Sequence, residues 1–261
     1  MQLEYTKIYK FCDDIWYAFK GDNEGVIEVG DTRVIVPCEF KSVDRISNFF
    51  SAISHQDKVK LYDESGIEVT LPFEYDGIRW LFADKFEVTN NSFKGIISIK
   101  SEGENYIVTP ITDIRYSSIS KFENGFAIVT NAQKWEGFIN EDGEQIGSMN
   151  FESVRPFTND LAAVEMHRSQ KTVWGFIDTS GEIVIPYIYD KVKDFKEFEY
   201  TSVCKDGKWT VIDRQGNEVI PCIYDEVTSI QYHKRQELLY VHVTLDGYEG
   251  LIEVKTAIDE E

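Results

Sequence analysis

The side chains of this chain that could do chemistry are its carboxylates, histidines and cysteines. Carboxylates recur at one place of a repeated strand, at Glu28, Asp178, Asp213 and Glu253. A ring of acids on one face could bind cations or a basic peptide. An aspartate oxygen can also accept N–H groups of its own turn. This turn-capping role explains Asp178 and Asp213 without any ligand.

The histidines and cysteines do not form a recognisable metal or nucleophile pattern. The histidines stand at His55, His167, His233 and His242, and the cysteines at Cys12, Cys38, Cys204 and Cys222. CxxC pairs and metal-ligand spacings are missing, so we expect reduced thiols of a cytoplasmic protein. Phosphate-binding, zinc-protease, nucleophile-elbow and calcium-loop motifs are also missing. We therefore expect a non-enzyme with no catalytic residue, no metal and no cofactor.

The overall charge restricts the class of partner. The chain has 261 residues, with 46 acidic and 27 basic side chains and a net charge of −19. Nucleic-acid binding needs clustered Lys and Arg, so it is disfavoured, as is docking on anionic membranes. A basic protein partner is favoured instead. The amino-terminal residues lack the features of a signal peptide, and no apolar run approaches the roughly 20 residues of a membrane span.

These side chains are positioned by a unit of about 35 residues that recurs about seven times. The copies start at Tyr5, Phe40, Tyr75, Tyr116, Phe151, Tyr189 and Tyr224. No linker interrupts them, so we predict a single repeat domain over residues 1–261.

Each copy predicts four short β segments and no helix. In the copy at Phe151, an aromatic-x-x-aliphatic piece comes first, and 161–164, 175–178 and 183–186 follow. The fourth segment of other copies is predicted at 34–37, 69–72 and 218–221. The turn before the fourth segment is Asp-Thr-Ser-Gly, where the glycine supplies a positive φ. Asp206-Gly207 predicts a tight hairpin in the next copy. The recurrent prolines are predicted to end strands.

The run WGFIDTSGEIVIPYIYDKV at residues 174–192 resembles the bacterial WG-repeat, or KWG-repeat, family. The copies at Phe151 and Tyr189 match the pattern W-G-x-I-D, G-E-x-V-I-P and Y-D-x-V well. The copy at Tyr116 has Gly147 in place of the proline, and the first three copies lack Trp-Gly. The resemblance implies a β-repeat fold and carries no shared catalytic residues.

We predict an all-β repeat protein, a closed β-propeller-like ring of about seven small blades latched by its termini. Tyr5–Ile8 match the first segment of a repeat, and Gly250–Val254 match the third. Tyr5–Ile8 would then complete the last blade. An open, curved β-repeat solenoid is the alternative.

Stretches that depart from the repeat are the candidate partner-binding sites, because repeat proteins carry binding on variable loops. The candidate residues are His167, Arg168, Lys171, Tyr232, His233, Arg235, Trp80 and Phe82, with a further departure at 46–50. We predict a protein-binding scaffold, with an immunity- or antitoxin-type inhibitor of a basic toxin as a specific version. A small-molecule or glycan binder that uses the repeat aromatics is the alternative. The repeat aromatics include three tryptophans, and we expect these to be packing residues: Trp135, Trp174 and Trp209.

Overall fold

The computed structural model describes residues 5–30, 33–168, 171–195 and 199–256. These residues form strands and turns without a helix, as predicted. Within them, accordingly, no helix has the length and apolar character needed to cross a membrane.

The chain divides into two compact units, with the boundary between Ser118 and Ile119. A single domain over residues 1–261 stays a prediction. The described residues hold seven antiparallel sheets, one for each predicted copy, and consecutive strands are neighbours in every sheet. Each sheet is therefore a simple meander.

The first three sheets comprise twelve strands. They are β1 (Lys7–Cys12), β2 (Ile15–Lys20), β3 (Asn23–Glu28) and β4 (Arg33–Phe40); β5 (Ser42–Ile46), β6 (Phe49–Ile53), β7 (Val59–Asp63) and β8 (Glu68–Val69); and β9 (Gly77–Phe82), β10 (Lys85–Asn90), β11 (Phe93–Glu102) and β12 (Asn105–Pro110).

The last four sheets comprise two of four strands and two of three strands. They are β13 (Ser118–Ile119), β14 (Phe126–Thr130), β15 (Glu136–Asn140) and β16 (Gln145–Phe151); β17 (Ser153–Val154), β18 (Leu161–Arg168), β19 (Lys171–Asp178) and β20 (Ile183–Tyr189); β21 (Lys191–Val192), β22 (Tyr200–Lys205) and β23 (Lys208–Asp213); and β24 (Glu226–His233), β25 (Leu238–Leu245) and β26 (Tyr248–Lys255).

The hydrophobic core lies between successive sheets within each unit. Phe138 and Phe151 of one sheet pack with Ala162 and Val164 of the next. In the same way, Phe176 of β19 packs in one cluster with Val203 of β22 in the next sheet. Period-2 alternation places aliphatic and aromatic side chains on both faces of a sheet that has neighbours on both sides.

The aromatic-x-x-aliphatic piece is divided between two sheets instead of forming one strand. Phe151 ends β16, where it pairs with Glu136. Val154 lies in β17, the first strand of the next sheet, where it pairs with Val164 of β18. Each repeat therefore lends its aromatic residue to the preceding sheet, and we call this overlap the staggered joint.

The glycine of the third strand lies under a bulge of the fourth strand. A Cβ atom on Gly175 would meet the carbonyl oxygen of Ile185 at 2.6 Å and the ring of Tyr187 at 2.7 Å. The pairing of β19 with β20 is irregular over this stretch, which contains Pro186. A bulge leaves one residue without a ladder hydrogen bond, which suits a proline.

The prediction that the recurrent prolines end strands is therefore only partly right. Pro110 does end β12, whereas Pro37 and Pro186 lie inside β4 and β20. Both are tolerated there because these are edge strands with irregular pairing. Pro72 and Pro221 lie outside the strands altogether.

Two predicted fourth strands are shortened or missing where the glycine is replaced. At the glycine position the second copy has Lys60 and the sixth has Thr210. Of the predicted segment 69–72, only Val69 lies in a strand, and 218–221 retains a single bridge between Glu218 and Ile212. In the sixth copy the hydroxyl of Thr210 donates to the carbonyl of Ile220 at 2.6 Å, so a side chain occupies the place that a glycine leaves open.

The predicted latch is not found for the residues that were to form it. Lys7 and Ile8 pair with Phe19 and Ala18 of β2, so they belong to the first sheet. Because Ile8 corresponds to the aliphatic residue of the staggered joint, it begins a sheet and does not complete one. Closure of the seven sheets into a ring stays a prediction.

Candidate functional site

Two of the recurrent acids at the end of the third strand, Asp178 and Asp213, cap their own turns as predicted. Asp178 Oδ1 accepts the backbone N–H groups of Ser180 and Glu182, at 2.9 and 3.0 Å. The hydroxyl of Ser180 also donates to this carboxylate and, with those N–H groups, holds the pKa of Asp178 below its usual value. Asp63, Asn140 and Asp213 make the same pair of turn hydrogen bonds.

The aspartate that follows the joint aromatic links neighbouring repeats. Asp190 accepts the Lys171 ammonium at 3.0 Å and the N–H of Gly207 at 3.4 Å. The Lys171 hydrogen bond is the largest cause that lowers the pKa of Asp190. Asp225 and Lys208 repeat the ion pair at 2.6 Å. Lys171, a predicted partner-binding residue, therefore has a structural role in this arrangement.

The tryptophans of the WG motif are covered by cations of their own chain. The Arg155 guanidinium lies 4.6 Å from the ring centroid of Trp174 and donates to the carbonyl of Val192, in the next repeat, at 3.0 Å. The Lys193 ammonium lies 5.6 Å from the ring of Trp209. Cation–π contact of this kind fixes the ring in the scaffold. Both rings therefore serve packing.

The hairpin of β18 and β19 borders a surface cleft, which we call the hairpin cleft. Both strands have eight residues, and His167 and Arg168 at their end are exposed. The cleft has a volume of about 600 Å³ and is lined by Arg168, Lys171, Val173, Tyr187, Ile188, Lys205 and Asp206. Three cations and one acid thus surround an apolar floor, on a protein whose net charge is −19.

The arrangement of the hairpin cleft suits an acidic side chain flanked by apolar surface. The Arg168 guanidinium lies 5.9 Å from the ring of Tyr187, which keeps it beside the cleft. Nζ of Lys171 lies 3.8 Å from Oδ1 of Asp206, and both residues line the cleft. Arg and Tyr are common among residues that dominate protein interfaces.

The second predicted group lies at the turn between β24 and β25. Tyr232 packs edge-to-face on Tyr200, with ring centroids 5.3 Å apart, so it serves the core of this sheet. The ring of His233 lies 5.4 Å from that of Tyr240. Arg235 is exposed in the turn. Arg235 is thus the member of this group best placed for a partner.

The third predicted group lies on β9, an edge strand of the first unit. Trp80 is 44% exposed, and its indole N–H donates to the carbonyl of Ala83 at 3.0 Å. Phe82 is half-buried at the end of the same strand. Next to them, Arg79 and Lys94 both pair with the buried carboxylate of Glu87.

The two predicted groups of the second unit do not converge on one site. In an antiparallel meander, the turn between the first and second strands and the turn between the second and third lie at opposite ends. Arg168 is at the second kind of turn and Arg235 at the first. Of these two groups, the one at the hairpin of β18 and β19 lines a cleft, and we take the hairpin cleft as the candidate site.

Sequence reasoning missed part of the cleft and one further groove. Tyr187, Ile188, Lys205 and Asp206 complete the cleft from the next strands. A groove of about 620 Å³ also opens beside Lys60, where Phe73 is 62% exposed. The substitution of the repeat glycine by Lys60 was the signal that could have indicated the groove.

Metal-binding chemistry has no support in the side-chain geometry. Across the part of the chain that the structure describes, no three His, Cys, Asp or Glu side chains form a group that could hold a metal ion. The four cysteines are free thiols.

Comparisons with known proteins identify the repeat. The family model "WG containing repeat" matches residues 109–135, 137–167, 174–209 and 209–232. No curated protein matches the chain.

Several solved structures show a distant likeness. Hsv2p from Kluyveromyces lactis is 12% identical with a TM-score of 0.31, over 92% of this chain and 94% of that one. The WD40 β-propeller domain of Doa1 is 10% identical with a TM-score of 0.29, over 80% and 81%. BamB from Moraxella catarrhalis is 9% identical with a TM-score of 0.29, over 92% and 81%. With scores this low, these similarities support no conclusion about this chain.

Proposed function

Residues 109–135, 137–167 and 174–232 match a WG-repeat family model, and on that basis we propose that the protein is a non-enzymatic scaffold that binds a protein partner. The observation that carries the proposal is the hairpin cleft, an exposed charged and apolar surface built where the chain departs from its repeat. By contrast, the residues that recur between repeats are used to hold turns, strands and neighbouring sheets together.

The charge of the molecule supports a partner of mixed or basic charge. A net charge of −19 attracts a basic protein over distances of about 10 Å at moderate salt. Arg168 and Lys205 in the hairpin cleft would then receive an acidic side chain of that partner. Opposite charges at the cleft and around it would fix the orientation of binding.

A specific version of this function is an immunity- or antitoxin-type inhibitor of a basic toxin. The strong acidity supports it, because an acidic surface can cover the basic substrate-binding face of an enzyme such as a nuclease. It predicts one dominant partner whose own net charge is strongly positive. A dominant partner that is neutral or acidic would exclude this version but leave the scaffold function intact.

The test is affinity capture from the native host with the full-length tagged protein, washed at low and at high salt. We expect one protein to be retained at low salt and released at high salt. The variant Arg168→Glu should lose it, because the substitution reverses a charge at the hairpin cleft. The comparison variant is Arg235→Glu, which makes the same change at the other predicted group of the same unit, and we expect it to retain the partner.

Two results would contradict the proposal. Failure to capture any protein at either salt would contradict protein binding, and ligand-induced shifts of the melting temperature would then test the small-molecule alternative. Capture that survives Arg168→Glu but is lost with Arg235→Glu would move the site to the turn between β24 and β25.

A further inference from the structure

In the part of the chain that the structure describes, the last sheet has a free edge. Its strands lie in the order β24, β25, β26, and no described residue forms a ladder on the outer side of β26. Two large side chains on this strand, Tyr248 and Leu251, are 80% and 57% exposed. A strand edge of eight residues offers unpaired N–H and C=O groups to an incoming strand.

We call the space beside Gly250 on this edge the slot. In other sheets the fourth strand occupies the equivalent space. A Cβ atom on Gly25 or Gly175 would meet a carbonyl oxygen of the fourth strand at 2.6 Å. Gly250 occupies the same place in β26, where the nearest atom is Cγ2 of Val243 at 3.6 Å. The glycine is therefore present without the strand that it accommodates elsewhere.

The first sheet indicates what fits this slot. Residues 24–28 read Glu-Gly-Val-Ile-Glu, and residues 249–253 read Glu-Gly-Leu-Ile-Glu. In the first sheet this strand binds β4, whose sequence is Arg-Val-Ile-Val-Pro-Cys-Glu-Phe. Arg33 of β4 pairs with Glu28 at 2.7 Å, and Phe40 lies opposite Glu24.

The edge of β26 offers the same complementary groups to a strand. Glu253 stands in the place of Glu28, and Glu249 in the place of Glu24. The segment that was predicted from sequence to fill this edge includes Lys7 and Ile8, which are used in the first sheet. The edge is thus matched to a basic and aliphatic strand by charge and by shape.

We propose that the free edge of β26 binds an extended segment of a protein partner by strand addition. The segment has a basic residue, then aliphatic residues, then a bulge with proline or a small residue, and an aromatic residue that closes the sheet. The proposal rests on the proposed function and assigns to it a second contact surface with a defined partner chemistry. Main-chain hydrogen bonds supply affinity, while Gly250 and the two glutamates select the sequence.

The first experiment measures binding of a labelled peptide to the full-length protein by fluorescence anisotropy. The probe has the sequence of residues 33–40 with Cys38→Ser, and a scrambled peptide is the control. We expect saturable binding of the probe alone. The variant Gly250→Val should weaken it by about tenfold or more, because its side chain fills the slot.

A matched variant controls for damage to the fold. Gly77→Val makes the same substitution in β9, where the nearest atom to a Cβ is Cβ of Thr89 at 3.7 Å. It should leave peptide binding unchanged. Absence of probe binding, or equal affinity for wild type and Gly250→Val, would overturn the proposal.

Hydrogen exchange locates the binding site. Alternate amide groups of β26 point away from β25, and we expect the peptide to slow their exchange. Slow exchange of these amides in the free protein would show that the chain itself or a second copy covers the edge, and would also overturn the proposal. A captured partner that is lost with Arg168→Glu but kept with Gly250→Val would contradict strand addition while supporting the proposed function.

Discussion

Gly175 and Gly250 occupy the same place in their repeats but have different surroundings. The bulge of β20 covers Gly175, whereas the nearest atom to a Cβ on Gly250 would be Cγ2 of Val243, at an ordinary contact distance of 3.6 Å. The first glycine is needed because a side chain would collide with backbone that has no room to move. Gly250 keeps the glycine of the motif, although no described strand lies close enough to require it.

This difference predicts opposite outcomes for one substitution. Gly175→Val places side-chain atoms against the carbonyl of Ile185, and overpacking of this kind costs about 1–3 kcal/mol of unfolding free energy. Gly250→Val should change that free energy by only about 0.5 kcal/mol or less. Urea unfolding followed by tryptophan fluorescence measures both. Equal losses for the two variants would show that the glycine is required for another reason.

At the scale of the elements, the ion pairs between repeats join each third strand to the segment that begins the next sheet. The hydrogen bond from Lys208 is the largest cause that lowers the pKa of Asp225 below 3.8. The N–H of Asp246 adds a second hydrogen bond at 2.7 Å. One carboxylate therefore stabilises both a joint and the following hairpin.

A lowered pKa gives this contribution a defined pH dependence. The carboxylate of Asp225 stabilises the fold fully above 3.8, its unfolded value, and the stabilisation is lost as the pH falls through the lower folded pKa. Asp225→Asn should therefore lower the melting temperature at neutral pH. The difference from wild type should shrink below pH 3.8, as thermal unfolding across a pH series would show. A difference that persists unchanged in acid would contradict the ionic origin.

The elements that sequence reasoning predicted well are those with local causes. The third strand and its turn follow from a few adjacent residues, such as the aspartate cap and the glycine with positive φ at Gly181. The fourth strand depends on whether a glycine about ten residues earlier leaves room for its bulge. Where Lys60 and Thr210 replace that glycine, the predicted strands at 69–72 and 218–221 are not formed in full.

The candidate site was harder to predict because it is assembled from separate strands. The exposed residues His167 and Arg168 were identified as departures from the repeat. Tyr187 and Lys205 join them only through the pairing of β19 with β20 and through the next sheet. The packing roles of Lys171 and Tyr232 were equally non-local, since both depend on contacts with residues of neighbouring segments.

At the scale of the whole molecule, the excess of acidic groups opposes folding. A net charge of −19 produces repulsion between like charges that is greater in the compact state than in the unfolded chain. Ion pairs such as that of Lys208 and Asp225 offset only part of it. Dissolved salt should therefore weaken the repulsion between acidic groups more than the attraction within ion pairs.

We expect the melting temperature at pH 7 to rise as NaCl is increased from about 0.02 M to about 0.5 M, where screening acts within a few Å. Near pH 5, closer to the isoelectric point of 4.6, the rise should be smaller. Differential scanning fluorimetry at both pH values measures the effect. A fall of the melting temperature with salt at pH 7 would indicate that attractive pairs dominate.

The staggered joint also bears on how such a chain could grow by gene duplication. A unit that runs from one joint aromatic to the residue before the next donates its aromatic to the preceding sheet, as Phe151 does for Glu136. It takes the aromatic for its own fourth strand from the unit that follows, as β19 does from Tyr189. The unit that follows an inserted copy would supply the aromatic residue of that copy's fourth strand, and the copy would supply its own aromatic residue to the sheet before it. The array could therefore lengthen by whole units without any new kind of contact.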